Sequence, residues 1–220
     1  MSESKSSFVV SSQTQPHKNL AKLVTKYQKT EMQDSIPKHT HDAFKIADQF
    51  VASDSIILDS CCGVGESSFR LAKQYPDTKV LAIDKSALRI QRSGSFDCCP
   101  DNLLILQADC VHFWRLMLEQ KWHIKRHYLF YPNPWPKPGH LQRRWHAHPV
   151  FPTLIKLGGI ITMRTNWIIY AQEFAQAIAM YKGNTNPVRQ LALENAFTPF
   201  ERKYINSQHT LYEVQADLSE

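Results

Sequence analysis

Acidic residues are missing from one long stretch of this 220-residue chain. Between Gln120 and Gln172 there is no Asp or Glu, although the whole chain has 20 acidic residues and a net charge of +6. The stretch also holds four of the five tryptophans and five of the ten histidines. Its cationic residues are Lys121, Lys125, Arg126, Lys137, Arg143, Arg144, Lys156 and Arg164. This composition is typical of a surface for an anionic partner, with chance clustering on a basic surface as the alternative.

Long apolar runs and a cysteine framework are missing as well. No run approaches the roughly 18 apolar residues of a membrane span, and the first twenty residues contain no apolar signal region. The five cysteines include two adjacent pairs, Cys61-Cys62 and Cys98-Cys99, a poor arrangement for disulfides. We therefore expect a cytoplasmic protein that is not bound to a membrane, with Cys61 and Cys62 packed beside a strand.

The sequence also lacks a set of residues spaced like the ligands of a metal ion. The pairs His39/His41 and His146/His148 could each supply half of a site, but neither has a third ligand at a suitable distance along the chain. The sequence therefore predicts no bound metal.

The chain divides by pattern into an N-terminal extension, residues 1–53, and a main domain, residues 54–220. Residues 1–15 are serine-rich and are predicted to form a flexible tail, followed by a helix over 19–28 and a second helix after Pro37. Short apolar strands then alternate with helices, which predicts an α/β fold with a mostly parallel sheet covered on both faces. The predicted strands are 55–59, 79–84, 102–107, 128–131 and 160–164, and residues 200–204 and 210–215 are predicted to form a terminal antiparallel pair.

Carboxylates follow three neighbouring strands of this predicted sheet. Asp59 opens a turn that contains Gly63 and Gly65, Asp84 ends the next strand, and Asp109 follows the third. In an open α/β sheet, ligands bind beyond the carboxyl ends of the strands. The glycines would let the backbone approach a ligand, and Asp84 could accept both hydroxyls of a ribose. The series predicts a nucleoside cofactor, although Asp109 alone could simply cap its helix.

The glycine turn also indicates which cofactor this is. A dinucleotide site needs a third glycine, and Ser68 stands in its place. Glu66 puts a negative charge in the first turn of the following helix, where it would repel a phosphate but tolerate a sulfonium and an ammonium. The sequence therefore favours S-adenosylmethionine.

Several further motifs resemble the bacterial tRNA (guanine-7)-methyltransferases. They are Phe130-Tyr-Pro-Asn-Pro-Trp-Pro-Lys137, His140-x-x-Arg-Arg144, Leu157-Gly-Gly159, Thr165-Asn-Trp167 and Thr198-Pro-Phe-Glu-Arg-Lys-Tyr204. The resemblance extends over residues 55–214. It implies a Rossmann-like class I methyltransferase fold with a seven-stranded sheet, S-adenosylmethionine as cofactor and tRNA as substrate.

Carried over residue by residue, the resemblance assigns roles to individual side chains. The cofactor acids of the family fall on the three carboxylates named above. Its substrate-side lysine falls on Lys137, and its Thr-x-x-Glu element falls on Thr198 and Glu201. The chain departs from the family at Asn133 and Asn166, where the family has Asp. We expect Asn133 to be the catalytic position and Asn166 to lie on the substrate side.

The acid-free stretch between Gln120 and Gln172 also contains candidate RNA contacts. Lys137, Arg143 and Arg144 are predicted to contact tRNA phosphates, although adjacent residues of a helix point about 100° apart and cannot both face one phosphate. A surface salt bridge is the alternative for one of the two arginines. Trp135, in a proline-bounded loop, is expected to form a wall of the base pocket.

The amide at Asn133 leaves three functions open. Methylation of guanine N7 needs no general base, so an amide in place of a carboxylate would weaken catalysis, by about 1–3 kcal/mol, without abolishing it. An Asn-Pro-aromatic turn also resembles the amine-binding turn of amino-methyltransferases. The third possibility is a catalytically impaired relative that only binds RNA.

Overall fold

The computed structural model describes residues 6–93, 99–192 and 194–219, so Cys98 lies outside the described residues. The helices are α1 (Leu20–Gln28), α2 (Lys38–Val51), α3 (Glu66–Gln74), α4 (Ala87–Ser93), α5 (Cys110–Glu119), α6 (Phe151–Lys156), α7 (Ile168–Lys182) and α8 (Pro199–Asn206). The strands are β1 (Ile56–Ser60), β2 (Lys79–Asp84), β3 (Leu103–Gln107), β4 (Ile124–Phe130), β5 (Ile160–Thr165), β6 (Val188–Leu191) and β7 (Leu211–Asp217). Two short 3-10 helices cover Pro138–Arg143 and Trp145–Ala147.

The seven strands form one sheet in the order β3-β2-β1-β4-β5-β7-β6. β1 pairs in parallel with β2 and with β4, and β2 pairs in parallel with β3. β6 and β7 are antiparallel to each other. The predicted α/β fold, a mostly parallel sheet with a terminal antiparallel pair, is confirmed.

The parallel strands are recognisable because burial on both faces requires continuous apolar runs. All five residues of β1 are buried, as are the last five of β2. Asp59 lies opposite Ala82, and Asp84 lies opposite Gln107. The carboxylates at the ends of these strands therefore lie along one edge of the sheet.

The C-terminal region differs from its prediction in one element. The predicted strand 200–204 is wrong, because these residues belong to helix α8. Thr198 caps this helix by accepting a hydrogen bond from the Glu201 N–H at 3.0 Å, and Pro199 occupies the first helical position. The strand that pairs with β7 is instead β6, whose central residues Arg189 and Gln190 are exposed.

The chain clusters into two compact units, each assembled from separate segments. The first comprises residues 6–32, 131–155 and 162–216, and the second comprises 33–130, 156–161 and 217–219, as far as these ranges are described. The predicted domain boundary at residue 53 lies inside the second unit. That residue 53 separates two domains stays a prediction. Among the described residues, no helix is long and apolar enough to cross a membrane.

The N-terminal extension contributes to the first unit. Residues 6–15 have no regular secondary structure, as expected of a tail, but they are hydrogen-bonded to other parts of this unit. Helix α1 follows at the predicted position and buries Leu20, Val24 and Tyr27. Residues 1–5, the rest of the predicted tail, lie outside the described residues.

Candidate functional site

The first carboxylate of the predicted cofactor site is buried at the end of β1. Asp59 is 1% exposed, and its Oδ2 accepts hydrogen bonds from the hydroxyls of Ser67 and Ser68, each at 2.7 Å. Burial raises the pKa of the Asp59 carboxyl to about 6, although the two hydroxyls lower it. Both hydrogen bonds fall on Oδ2, which leaves Oδ1 available as an acceptor. A cationic or hydrogen-bond-donating ligand at Oδ1 would therefore stabilise the ionised form of Asp59.

The glycine turn connects this carboxylate to the next strand. Gly65 precedes α3 with a φ of +80°, and a Cβ at that position would lie 2.7 Å from Ile105 Cδ1. Gly63 has a φ of +62°, and its N–H donates to Asp84 Oδ2 at 3.0 Å. Both residues occupy the left-handed region that glycine adopts without strain. The turn is thus held against the end of β2 by a buried carboxylate.

Asp84 is buried, and some of its acceptor positions are already used by protein groups. Its Oδ1 accepts from the Ser86 N–H at 2.8 Å, and Arg89 lies 3.5 Å from its Oδ2. A carboxylate has about four acceptor positions, so Asp84 retains capacity for the hydroxyls of a ribose. Together with the open space around Gly63, these acids at one sheet edge fit a nucleoside cofactor with a cationic group. Which cofactor atoms Asp59, Gly63, Gly65 and Asp84 contact stays a prediction.

Asp109 caps a helix, which is the structural role that the sequence analysis gave as its alternative. Its Oδ1 accepts from the Val111 N–H at 2.9 Å, which caps the first turn of α5. Capping uses only one of its acceptor positions. The additional role of Asp109 toward a purine ring stays a prediction.

Sequence reasoning did not identify a buried polar chain directly after Asp59. The Ser60 hydroxyl lies 2.8 Å from His127 Nε2 and accepts from Trp114 Nε1 at 3.0 Å. Burial lowers the pKa of His127 to about 3, so the imidazole is neutral at physiological pH. The three side chains fix the end of β1 and thereby the start of the glycine turn. The only sequence signal for them is a histidine inside an apolar strand.

The first unit contains the predicted substrate-side residues, beginning with residues 131–136 after β4, which we call the Asn133 loop. Asn133 is exposed, and its Oδ1 accepts from the Trp135 N–H at 3.2 Å, which closes a local turn. Tyr131 and Trp135 have positive φ angles of 51° and 44°. Non-glycine residues in this region are strained, and such strain is concentrated at functional loops. The loop therefore presents Asn133 in a defined conformation.

The prediction that Arg144 contacts tRNA phosphate is wrong. Arg144 is fully buried and forms an ion pair with Glu173, which is equally buried. Its guanidinium also donates to the carbonyl oxygen of Trp135, with Nη2 at 3.1 Å and Nε at 3.3 Å. A guanidinium without solvent contact cannot reach an external phosphate. Arg144 instead supports the Asn133 loop from inside the unit.

Glu173 connects several elements of this unit through one carboxylate. Its Oε2 contacts Arg144 and His146, and its Oε1 accepts from Gln13 Nε2 at 2.7 Å and from the His17 N–H at 2.8 Å. Burial alone would raise the pKa of Glu173, but His146 and Arg144 overcome this effect and hold the pKa at about 2. Burial lowers the pKa of His146, and because a carboxylate only accepts, the imidazole Nε2 donates to Glu173. The sequence signal for this cluster is the single acidic residue of the mostly apolar helix α7.

Lys137 and Arg143 are exposed, as RNA contacts must be. The Arg143 guanidinium stacks over the Trp135 ring, 4.7 Å from its centroid, and His140 meets the same ring edge-on at 5.6 Å. Trp135 is half-buried between them. These positions are compatible with the predicted phosphate contacts and base-pocket wall, which stay predictions.

The remaining substrate-side residues are engaged within the first unit. Glu201 is buried and accepts from Tyr131 Oη at 3.1 Å and from Arg164 Nη1 at 2.9 Å, while Thr198 caps α8. These contacts hold Tyr131, the first residue of the Asn133 loop. Asn166 is half-buried, with its Nδ2 3.1 Å from His209 Nδ1. Direct contact of these side chains with a substrate stays a prediction.

The predicted lack of a bound metal stays a prediction. Within residues 6–93, 99–192 and 194–219, no group of three or more potential ligands is close enough to hold a metal ion. His146 is committed to Glu173, and His148 faces Trp145 edge-on at 5.9 Å.

Sequence comparison relates most of the chain to known proteins. A tRNA (guanine-N(7)-)-methyltransferase from Nitrosomonas europaea is 28% identical over 170 residues, which are 72% of this chain and 74% of that protein. Proteins of the same name from Streptomyces avermitilis and Neisseria gonorrhoeae are each 27% identical, over 73% and 69% of this chain. The matched regions span 57% and 65% of these two relatives, which is less than two thirds of their lengths.

Structure comparison shows the fold. An antibiotic-related methyltransferase has a TM-score of 0.56 at 11% identity, covering 84% of this chain and 96% of its own. The 16S rRNA methyltransferase KamB has a TM-score of 0.53 at 15% identity, covering 85% and 96%. The chain therefore has the class I methyltransferase fold.

A family model covers the sheet, the glycine turn and the Asn133 loop together. The model described as "Putative methyltransferase" matches residues 53–214, from just before β1 into β7. The N-terminal extension with α1 and α2 lies outside the match. Because the match includes about three quarters of the residues, the chain belongs to this methyltransferase family, Methyltransf_4.

Proposed function

We propose that this protein transfers a methyl group from S-adenosylmethionine to N7 of a guanine in tRNA. The observation that carries the proposal is the Asn133 loop, which exposes Asn133, is held by Arg144 and Glu201 from within, and is flanked by exposed Lys137 and Arg143. The names of the relatives support the same reaction, at 26–28% identity.

The residues at the sheet edge suit the cofactor. S-adenosylmethionine, when bound, supplies an electrophilic methyl group on a positively charged sulfonium. Asp84 has acceptor capacity for ribose hydroxyls, and ionised Asp59 offers a negative charge to a cationic ligand. The first residue of α3 is Glu66, and its carboxylate disfavours a phosphate at this helix start.

The substrate side needs orientation rather than proton abstraction. Guanine N7 has a lone pair in the ring plane, so the protein must align this nitrogen with the methyl group and tolerate positive charge on the purine. Asn133 can accept from the guanine ring N–H or amino group through Oδ1, which it already directs at the Trp135 N–H. An amide oxygen offsets less of the purine charge than a carboxylate does, so we expect a slow but functional enzyme.

Transfer of labelled methyl from S-adenosylmethionine to unmodified total tRNA, followed by nucleoside identification, tests the proposal. We expect 7-methylguanosine. Label on an exocyclic amine of adenine or cytosine would instead identify an amino-methyltransferase that uses the Asn133-Pro-Trp turn. Salt-sensitive tRNA binding without cofactor binding by calorimetry would identify a non-catalytic RNA-binding protein.

A further inference from the structure

The N-terminal segment is attached to the elements that support the Asn133 loop. The Ser11 hydroxyl donates to the Pro136 carbonyl oxygen at 2.6 Å. Gln13 and the His17 N–H both donate to Glu173, whose other carboxylate oxygen holds Arg144. Because α1 starts only three residues after His17, these contacts determine where α1 lies within the first unit.

Helix α1 buries an apolar face, and the charged residues on and beside its exposed side are all lysines. Lys22 and Lys26 lie one turn apart on α1, and Lys18 and Lys29 flank the helix just before and just after it, so the four lysines follow one another at intervals of three or four residues. All four lysines are exposed, and in the described part of the chain none of them forms an ion pair. Residues 6–30 contain no acidic residue. We call these four side chains the lysine stripe.

The lysine stripe adjoins the segment that ends in Arg143. A cavity of about 350 Å³ lies between the start of α1 and residues 138–142. Its polar lining side chains are neutral or cationic, namely His17, Asn19, Lys22 and Gln142. The exposed Arg143 directly follows this segment. Cationic side chains thus continue from the Asn133 loop to α1 within one unit.

We propose that the lysine stripe binds the phosphate backbone of tRNA outside the target nucleotide. This inference rests on the proposed function and extends it, because α1 lies outside the family match. The stripe is about 16 Å long at 1.5 Å per residue, enough to follow several phosphates of one strand. Flexible, exposed lysines contact phosphates without reading bases. The stripe therefore increases affinity for tRNA and leaves the choice of nucleotide to the Asn133 loop.

A matched pair of double variants tests the proposal. Lys22→Gln/Lys26→Gln removes two charges from the stripe, and Lys38→Gln/Lys45→Gln removes two from α2, where Asp42 and Asp48 accompany the lysines. We expect the stripe variant to bind unmodified tRNA more weakly and to lower the slope of log affinity against log salt by about 1.4–1.8. Its KM for tRNA should rise while kcat and cofactor affinity stay unchanged. The α2 variant should match the wild type.

Two results would overturn the proposal. One is an unchanged salt slope in the stripe variant, and the other is an equal loss in both variants, which would indicate a general charge effect. Loss of binding to phosphatidylglycerol vesicles with unchanged tRNA binding would make the stripe a lipid surface instead. Failure of the proposed function is distinct, because wild-type protein would then transfer no methyl group to tRNA whatever the salt slopes are.

Discussion

Asn133 is the residue at which the resemblance described above implies the most consequential departure of this chain from the guanine-7 methyltransferases. Its Oδ1 closes the local turn with the Trp135 N–H, and an aspartate could accept the same hydrogen bond. The amide thus preserves the loop geometry while removing a charge. Replacing Asn133 by Asp should therefore change the activity without changing the structure of the loop.

Asn133→Asp should raise the single-turnover rate of guanine N7 methylation by about 10–100-fold, since a carboxylate stabilises positive charge on the purine by about 1–3 kcal/mol more than an amide. Asn184→Asp, the same change at another exposed site, is the control and should leave the rate unaltered. A lower or unchanged rate in Asn133→Asp would show that the amide has a purpose of its own.

Asp59 should make cofactor binding pH-dependent. Its pKa of about 6 means that the carboxyl is ionised at pH 7.5 and mostly protonated at pH 5. A cationic ligand favours the ionised form, so S-adenosylmethionine affinity by calorimetry should fall as the pH drops below about 6, approaching tenfold per pH unit.

Two variants identify Asp59 as the source of that dependence. Asp59→Asn should bind weakly at every pH. Ser68→Ala removes a hydrogen bond that stabilises the ionised carboxylate, so it should move the transition to higher pH. Wild-type affinity that is constant from pH 5 to pH 8 would refute the role of Asp59.

At the scale of elements, glycine positions show how closely the strands approach one another. Gly159 and Gly183 have nearly equal φ angles, +73° and +74°. A Cβ on Gly159, next to β5, would overlap the carbonyl oxygen of Ile124 in β4, whereas Gly183 at the end of α7 faces open space. The backbone conformation is the same, and only the surroundings differ.

Gly183→Ala should therefore lower the free energy of unfolding by about 1 kcal/mol, the cost of a left-handed alanine. Gly159→Ala should cost several kcal/mol more, because main-chain atoms of β4 cannot move aside. Urea denaturation of both variants measures the difference. Equal losses would mean that β5 does not approach β4 as described.

The elements also show where a sequence pattern is ambiguous. Phe200, Arg202 and Tyr204 fit the period of a strand, yet Thr198, Pro199 and Glu201 form a helix start that takes precedence. β6 has two exposed polar residues at its centre and therefore no apolar signal. Local capping residues would have corrected the first error, but only pairing with β7 defines β6.

At the scale of the whole molecule, the cationic residues of the acid-free stretch between Gln120 and Gln172 do not all lie on one exposed surface. Arg144 is neutralised by Glu173, and Arg164 pairs with Glu201 and Glu213, so neither charge is free for an RNA phosphate. Conversely, α1 and the residues that flank it contribute four exposed lysines from outside this stretch. The distribution of charge in three dimensions thus differs from its distribution along the sequence.

The Glu173 cluster should make stability sensitive to acid. The native pKa of Glu173, about 2, lies below its usual value of 4.5, so its contribution is full above about pH 4.5 and is lost as the pH falls toward 2. The difference in pKa corresponds to about 3 kcal/mol. The difference in unfolding free energy between wild type and Glu173→Gln should shrink across this range.

Glu173→Gln itself should cost about 3–5 kcal/mol at neutral pH, because it leaves the buried Arg144 charge without its partner. Arg144→Met/Glu173→Gln removes the charge as well and should recover part of that stability. It should still methylate tRNA poorly, since the Trp135 carbonyl loses its donor. Urea denaturation and the methyl-transfer assay together separate the two effects.

The sequence by itself determined the parallel strands, the three carboxylates at their ends and the glycine turn, because burial on both faces and a tight turn impose local requirements on residue type. It did not distinguish Arg143 from Arg144. That distinction depends on Glu173, 29 residues further on, and on an N-terminal segment more than a hundred residues earlier. Only the tertiary structure brings these groups together, and a buried charge is stable only where such partners meet.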